Sequence, residues 1–490
     1  MHNLGYRTVA FVTLLPAVLV QGCGSPDPDA LPVPTATATA PAVIVAPSAS
    51  PTPAATPAGA ASPVMFGLEA PGVGDPNPYF QNGRYYVFYL QDEGRHPWRM
   101  SSSSDLSAWS APIEAVPAGS AGDADYWTGS GSVVADPAGG YRIFYTGHLP
   151  GGDPQETTMS ARASSLDGPW RKVATPRFSG SATYDRADFR DPFVLRDDAT
   201  GAYWMLLTSR NAGKAAIALY TSPDLEQWTP AAPLYTESSP LNLEVPALFR
   251  EGSDWFLVFS DQRDASRQTR YLRATAARGP YAYGPYDALD GRGFYAGKPT
   301  GDGADRLLFG WVANRKDRRD DGEWEWGGDL VAHALSRAAD GSLAVDIAAP
   351  LARQFAQVTS RLTVDAPAAA PLDRATRIVT DVSVRSKDQF GLRFTANGAT
   401  TATIEIDTAA QEARAVVGGR TSDAPRVAFP ASSDGRYHVD VVLDPVRGFG
   451  ILYLNRYRAL SFRYYGIGGT TPALYATKGF LALDGEVRTK

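Results

Sequence analysis

The sequence predicts an all-β protein in which a five-bladed β-propeller is followed by a C-terminal β-sandwich. One observation is a strand unit that recurs five times, and another is the near absence of any 3.6-residue apolar period. A third is a change of composition near Pro350, after which short strands continue between Gly, Asp and Pro turns. Loose all-β repeats are typical of a radial stack of small sheets. Short strands that alternate with such turns are typical of a β-sandwich.

The recurring unit is a Gly or Asp turn followed by a short strand of aromatic and β-branched residues. Its copies start about 50 to 60 residues apart, which is enough chain for one four-stranded blade. Because the repeats surround an axis, the starts of their innermost strands are expected to meet at a central depression. The copies are residues 83–89, 140–146, 201–207, 252–258 and 305–311.

Composition sets limits on the domains and partners. The 490 residues suffice for two or three domains, and we expect the propeller at residues 65–350 and the sandwich at 351–490. The net charge of −6 is spread along the chain without a basic face, which argues against a nucleic-acid partner. The five histidines are scattered, so we expect no metal site and no cofactor. One cysteine excludes an intrachain disulfide.

The N-terminal residues have the pattern of an export signal. In residues 1–22, Arg7 precedes an apolar run that is too short to span a bilayer comfortably, which indicates a signal peptide. The following Gln-Gly-Cys resembles a bacterial lipoprotein cleavage box, so Cys23 is expected to be lipidated, although a plain secretory signal is the alternative. Residues 23–64 would then form a Pro/Ala/Thr/Ser tether. We expect an extracytoplasmic protein, anchored by lipid to a bacterial cell envelope, periplasmic or at the cell surface.

Three acids stand at strand entries in different repeats: Asp75, Asp191 and Glu244. Each has a proline within two residues and precedes an apolar strand, where a carboxylate is costly unless it is paired or used. The neighbouring Arg190 favours an ionised Asp191. Two opposed carboxyls can cleave a glycosidic bond with retention, and a third can stabilise the transition state.

Five motifs, taken in order, resemble glycoside hydrolase family 32, the β-fructosidases. They are Asp-Pro-Asn at 75–77, Trp-Thr-Gly-Ser-Gly-Ser at 127–132, Phe-Arg-Asp-Pro at 189–192, Glu-Val-Pro at 244–246 and Gly-Phe-Tyr-Ala at 293–296. The resemblance covers residues 70–350 well and the sandwich loosely. That family contains invertases, levanases and inulinases with a propeller followed by a sandwich, which agrees with the fold expected from the repeats.

The resemblance implies roles for individual residues. Asp75 matches the nucleophile, Glu244 the general acid/base and Asp191 the transition-state stabiliser. The implied activity is retaining, double-displacement release of fructose from β-fructofuranosides such as sucrose, levan or inulin. Matches to substrate-contacting residues are Asn77, Trp98, Trp127, Ser130, Arg190 and Tyr295. For the two tryptophans and the tyrosine, core packing is the alternative.

The chain departs from the family pattern close to the catalytic positions. The usual Asn before the nucleophile is Gly74, and the usual Gly after Asp-Pro-Asn is Pro78. A Gln that commonly ends the first Phe-Tyr strand is Leu90, and the Cys after the acid/base is Val245. The cluster at 324–329 replaces a simpler Trp-Gly pattern. The catalytic trio is retained, whereas the fit to a particular fructoside is left open.

Other functions remain open at this point. An arabinan- or xylan-cleaving glycosidase of family 43 has the same trio of acids, although the Trp-Thr-Gly-Ser and Phe-Tyr-Ala motifs argue against it. Fructosyl transfer differs from hydrolysis only in which acceptor takes the intermediate. A non-catalytic surface lipoprotein that binds glycans is a third alternative, motivated by the changes around Asp75. Oligomeric state is not indicated by the sequence.

Overall fold

The computed structural model describes residues 64–68, 72–239, 241–261, 267–384, 388–477 and 485–490. The expected signal peptide, Cys23 and nearly all of the expected tether lie outside these residues. In the part of the chain that is described, no helix has the length and apolar character needed to cross a membrane.

The prediction of an all-β chain is confirmed. Among the described residues the α-helical content is one turn, α1 (Ala349–Ala352), beside three short 3-10 segments (Gly303–Asp305, Lys316–Arg318 and Tyr465–Ile467). The strands before this turn are β1 (Val73–Gln81), β2 (Arg84–Gln91), β3 (Trp98–Ser103), β4 (Ile113–Val116), β5 (Trp127–Ala135), β6 (Tyr141–His148), β7 (Glu156–Ala163), β8 (Arg171–Phe178), β9 (Phe189–Arg196), β10 (Tyr203–Asn211), β11 (Lys214–Ser222), β12 (Thr229–Glu237), β13 (Leu243–Glu251), β14 (Asp254–Asp261), β15 (Gln268–Ala274), β16 (Phe294–Thr300), β17 (Leu307–Arg315), β18 (Trp324–Arg337) and β19 (Leu343–Ile347).

These strands form antiparallel sheets that follow one another along the chain. β5 to β8 and β9 to β12 each form a four-stranded sheet, and β13 to β15 a three-stranded one. β16 to β19 are joined to β1 to β4 in one eight-stranded sheet, because Val73 of β1 pairs with Gly328 of β18. The beginning and end of the repeat region are thus tied together by a strand pair.

The first strand of each group contacts the first strands of its neighbours. β1 contacts β5 and β16, β9 contacts β5 and β13, and β13 contacts β16. These contacts run in a closed circuit. Strand starts that are far apart in sequence are therefore brought next to each other.

The C-terminal strands form a six-stranded and a five-stranded sheet. The strands are β20 (Gln357–Leu362), β21 (Thr376–Ser383), β22 (Gln389–Ala396), β23 (Ala399–Asp407), β24 (Glu412–Val417), β25 (Arg426–Ala428), β26 (Arg436–Asp444), β27 (Phe449–Leu454), β28 (Arg458–Arg463), β29 (Thr471–Ala476) and β30 (Gly485–Thr489). The strand orders are β20-β30-β21-β26-β27-β28 and β25-β24-β23-β22-β29. Apolar side chains from both sheets, such as Ile378, Leu392 and Val439, share one core.

Buried polar contacts connect the C-terminal sheets to the preceding ones. Asp290 accepts hydrogen bonds from the backbone N–H and the hydroxyl of Ser461, both over 2.6 Å. Asp329 pairs with Arg447 at 2.9 Å and with Arg463 at 2.8 Å. A buried carboxylate without such partners would be costly, so these contacts fix how β28 lies against the repeat region.

Candidate active site

A cavity of about 480 Å³ opens where the first strands of the groups begin. All three strand-entry acids line it, although they belong to β1, β9 and β13. Of the residues that the sequence predicts to contact substrate, four line the cavity: Trp127, Ser130, Arg190 and Tyr295. The predicted constellation is therefore gathered in one place.

Irregular backbone turns the acids out of the regular strand pattern. Asp75 and Asp191 have positive φ values of 37° and 59°, and Val245, next to Glu244, has a φ of 55°. The pairing register shifts between Gly74 and Asn77 in β1, and between Glu244 and Ala247 in β13. Such bulges re-aim a side chain and leave one residue without ladder bonds. The nearby prolines fit there because a bulge needs fewer backbone donors.

Asp75 is a half-buried acid with a strongly perturbed ionisation. Burial, followed by the negative charge of Asp191, raises the pKa of Asp75 to about 7. The charge of Lys298 and a 3.3 Å hydrogen bond from Trp311 Nε1 to Asp75 Oδ1 act in the other direction. A perturbed carboxyl in a cleft is typical of a catalytic group.

Asp191 is held firmly in place. Its Oδ2 accepts a hydrogen bond of 2.7 Å from the Thr208 hydroxyl and one of 3.1 Å from the backbone N–H of Val245. Its own N–H donates to the Thr146 hydroxyl at 2.8 Å. Burial raises the pKa of Asp191, while the adjacent charge of Arg190 opposes that rise. The carboxylate is thus oriented before any substrate arrives.

Both carboxylate oxygens of Glu244 accept hydrogen bonds. The Tyr295 hydroxyl donates to Oε2 at 2.5 Å, and Arg190 Nη2 donates to Oε1 at 3.0 Å. The Tyr295 ring is itself covered by the guanidinium of Arg267, 4.1 Å from the ring centroid. Glu244 therefore reaches the cavity in a fixed orientation.

Arg190 connects several acids around the cavity. Its Nη1 lies 2.9 Å from Asp188 and 3.3 Å from Glu156, and its Nε lies 3.9 Å from Asp191. Burial acts to lower the pKa of Arg190, but the negative charges of Glu156 and Glu244 raise it well above its usual range. The guanidinium stays charged, which suits a group that positions carboxylates and sugar hydroxyls.

Sequence reasoning missed Lys298, which lies three residues beyond Tyr295. Its side chain is 1% exposed, and its Nζ donates to Ser130 Oγ at 2.9 Å, to the Gly131 carbonyl at 2.5 Å and to Asn77 Oδ1. Burial lowers the pKa of Lys298 to about 8, against the pull of Asp191 and Asp75. An ammonium group at the end of an apolar strand was the signal available in the sequence.

Asn77 and Trp98 do not line the cavity, unlike the other predicted contact residues. Asn77 is 1% exposed, and its Nδ2 donates to the Asp75 carbonyl at 2.8 Å, so it supports the bulge that carries Asp75. Trp98 is fully buried, with its Nε1 donating to the Gly129 carbonyl at 3.0 Å. Core packing, the alternative named for Trp98, is the interpretation that these contacts favour.

Three further cavity residues were not predicted from their surroundings in the sequence: Glu156, His96 and Trp326. Glu156 begins β7 without a turn motif, yet it accepts the Phe189 N–H at 2.5 Å and pairs with Arg190. The His96 ring stacks on Trp326 with centroids 4.1 Å apart. Among the residues that the structure describes, no group of three or more His, Cys, Asp or Glu is arranged to hold a metal ion.

Known proteins resemble this chain in parts of their sequences. A beta-fructofuranosidase, insoluble isoenzyme 3, of Oryza sativa subsp. indica is 29% identical over 171 residues, 32% of this chain and 28% of that protein. A sucrose-6-phosphate hydrolase of Zymomonas mobilis is 27% identical over 296 residues, 52% of this chain and 56% of that protein. A levanbiose-producing levanase of Geobacillus stearothermophilus is 27% identical over 188 residues, 36% and 45% of the two chains. The chain spans less than two thirds of each relative.

Solved structures share the fold more completely. The exo-inulinase from Aspergillus awamori has a TM-score of 0.69 and 17% identity, covering 87% of this chain and 98% of that chain. A Bombyx mori beta-fructofuranosidase of family GH32 has a TM-score of 0.69 and 18% identity, covering 86% and 92%. At such identities the likeness concerns the fold.

The family itself is decided by the match to its N-terminal domain. Residues 72–335, more than half of the chain, match the domain described as "Glycosyl hydrolases family 32 N-terminal domain". These residues include all three strand-entry acids. The prediction of a glycoside hydrolase is confirmed at the level of the family: the chain belongs to family 32 of the glycosyl hydrolases.

Proposed function

We propose that the protein is a retaining β-fructofuranosidase that releases fructose from sucrose or from fructans such as levan and inulin. The observation that carries the proposal is that Asp75, Asp191 and Glu244, from three separate strands, line one cavity. Membership of family 32 supports the same reaction class.

The reaction follows from two carboxyl groups with different tasks. Ionised Asp75 attacks the anomeric carbon while protonated Glu244 gives its proton to the leaving oxygen. A covalent fructosyl–Asp75 ester results. Glu244, now ionised, takes a proton from water, and that water displaces Asp75 and releases fructose with retained configuration.

The remaining polar groups serve these two steps. Asp191, fixed by Thr208 and the backbone of Val245, stabilises the positive charge that develops on the sugar and accepts hydrogen bonds from its hydroxyls. Arg190 and Tyr295 hold Glu244 in position. Orientation of this kind lowers the barrier because the groups need not reorganise during the reaction.

The domain plan is part of the proposal. We assign β1–β4, β5–β8, β9–β12, β13–β15 and β16–β19 to five blades, with the propeller at residues 65–350 and a sandwich at 351–490. The closed circuit of contacts among the first strands supports the blades. Isolated bridges from Arg270 to Ala288 and from Arg273 to Ala282 run along β15, on the side where a fourth strand would lie. The core shared by the last two sheets supports the sandwich.

We also propose that acyl chains on Cys23 anchor the enzyme outside the cytoplasm, with residues 23–64 as tether. The support is the sequence pattern alone. Metabolic labelling with a fatty acid tests it in the expressing bacterium. Label in the wild-type protein and none in Cys23→Ala is the expected result; an unlabelled wild type would contradict lipidation.

Product analysis tests the activity. The full-length protein is incubated with sucrose, levan, inulin and arabinan, beside Asp75→Ala and the control Asp198→Ala, whose side chain is 95% exposed. Fructose from any of the first three, absent with Asp75→Ala and retained with Asp198→Ala, is expected. Arabinose would point to family 43 chemistry instead. Tight fructan binding without products would favour a binding protein, and longer fructosides at high sucrose would indicate transfer.

A further inference from the structure

The position before Asp75 is glycine because an indole ring occupies the space of a side chain there. A Cβ on Gly74 would lie 2.2 Å from Cη2 and 2.3 Å from Cζ2 of Trp326. These atoms belong to a rigid ring that cannot flex away as the end of a long side chain would. Gly74 and Trp326 are thus sterically linked.

Trp326 is the end of an aromatic wall inside the cavity. Its ring stacks on the His96 ring, with centroids 4.1 Å apart and planes at 12°, and the His96 ring meets Trp127 edge-to-face with centroids 5.0 Å apart. All three rings line the cavity. Trp326 also lies 6.0 Å from Trp311, the residue that donates to Asp75. The wall therefore stands beside the attacking carboxylate.

The wall is rigid and carries little charge. The loop bearing His96 is attached to β5, since Thr128 N–H donates to the Arg95 carbonyl at 3.2 Å and its hydroxyl donates to the His96 carbonyl. Burial lowers the pKa of His96, so the imidazole is neutral at neutral pH. A neutral stacked pair offers a flat apolar face rather than a hydrogen-bonding group.

We propose that Gly74 and Trp326 act as one specificity-determining unit, in which the indole seated on Gly74 stacks on the apolar C–H face of a sugar ring of the substrate. The proposal rests on the proposed fructosidase function and names how that substrate is recognised. The sugar ring is the transferred fructosyl unit or the leaving sugar.

Two substrates distinguish whether the indole contacts the fructosyl ring or the leaving sugar. Sucrose has a sugar ring on both sides of the bond, whereas methyl β-D-fructofuranoside has a ring only on the fructosyl side. Trp326→Ala is expected to lower kcat/KM for sucrose by roughly tenfold or more, mainly through KM, while Trp326→Phe retains most of it. An equal loss with the methyl fructoside places the indole on the fructosyl ring, and an unchanged value places it on the leaving sugar.

The result that overturns the proposal is unchanged kcat/KM for both substrates in Trp326→Ala. A fall in kcat alone with unchanged KM, not rescued by Phe, would equally reject stacking and leave Trp326 as a structural residue. If the wild-type protein releases no fructose at all, it is the proposed function that fails. If the wild type releases fructose and Trp326→Ala leaves both kcat/KM values unchanged, only this inference is rejected.

A double-mutant cycle tests the link to Gly74. Gly74→Asn is expected to lower both Tm and kcat/KM, because the new side chain displaces the indole. Combined with Trp326→Gly, the same substitution should cost much less, since the ring is no longer there to clash. If the effects of Gly74→Asn and Trp326→Gly on kcat/KM simply add, the two residues do not act as one unit. Should Gly74→Asn not fold, recovery of folding in the double variant supports the unit, and its absence counts against it.

Discussion

Arg190 Nη2 donates a hydrogen bond to Glu244 Oε1 across 3.0 Å, although the two residues lie on different sheets. The same guanidinium pairs with Asp188 and Glu156 through Nη1. One planar cation thus sets the spacing between the strand that carries Asp191 and the strand that carries Glu244. Its geometry, beyond its charge, is what the site uses.

Replacing this guanidinium by an ammonium group should therefore impair catalysis while keeping the charge. Arg190→Lys cannot reach Glu244 and Glu156 at once, and we expect kcat/KM on sucrose to fall on the order of 100-fold. The control is Arg196→Lys on the same strand, whose side chain is 59% exposed. Steady-state kinetics with matched Tm values check the prediction. Equal activity of the two variants would show that charge alone suffices.

Tyr295→Phe removes one donor to Glu244 and keeps the ring that packs under Arg267. The lost hydrogen bond goes to a carboxylate, and such bonds contribute about 1.5–3 kcal/mol, so kcat/KM should fall by roughly 10- to 100-fold. Tyr141→Phe is a matched control because its hydroxyl donates to Gln81 away from the cavity. Parallel kinetics on the two variants provide the measurement. A loss no larger than in Tyr141→Phe would mean that the Tyr295 hydroxyl is not needed to orient Glu244.

The sequence was sufficient to predict the all-β fold and the three acids that meet in one cavity. Asp75, Asp191 and Glu244 could be found because each combines a charge, a nearby proline and a following apolar strand, a local pattern that records the bulge beneath it. The recurrence of the strand unit placed these patterns in different repeats. Both signals are local or periodic, so they can be recognised in a single sequence.

The supporting residues could not be predicted because their roles depend on contacts across the circuit of strands. Glu156 stands in a strand without a turn motif, and the charge of Lys298 marks that residue but not its partners. The partners, Arg190 and Ser130, are 34 and 168 residues away. Trp98 illustrates the opposite error, since an aromatic residue near a site motif has the same local signature whether it faces the core or the cavity. Burial decides between these, and burial is a property of the whole fold.

The ionisation of Asp75 predicts the acid side of the pH profile. The pKa of Asp75 is raised to about 7, and in the proposed mechanism only the ionised carboxylate attacks the sugar. The kcat/KM for sucrose should therefore decline as pH falls through about 7, because this parameter reports the free enzyme. A pH–rate series in a constant-ionic-strength buffer checks it. A flat profile down to pH 5 would show that Asp75 ionises much more readily than its buried setting indicates.

Lys298→Met should move that decline to higher pH. The Lys298 charge lowers the pKa of Asp75, so its removal leaves burial and Asp191 to raise the pKa further. Lys214→Met, at an exposed strand end, is the control and should leave the profile in place. The same pH series on both variants gives the answer. A shift to lower pH in Lys298→Met would contradict the assigned electrostatics.

The raised pKa of Asp75 also predicts that its ionised carboxylate destabilises the folded protein. Because the pKa is about 7 in the folded protein and near 3.8 in the unfolded chain, the folded state binds more protons between these values. The contribution of Asp75 to the free energy of unfolding then decreases as pH rises from about 4 to about 7. Asp75→Asn removes this titration. Its advantage over the wild type should be about 2–4 kcal/mol larger at pH 8 than at pH 4.5, given about 1.36 kcal/mol per unit. Urea unfolding of both proteins at the two pH values measures the difference, with Asp198→Asn as the exposed control. An equal advantage at both pH values would contradict the raised pKa of Asp75.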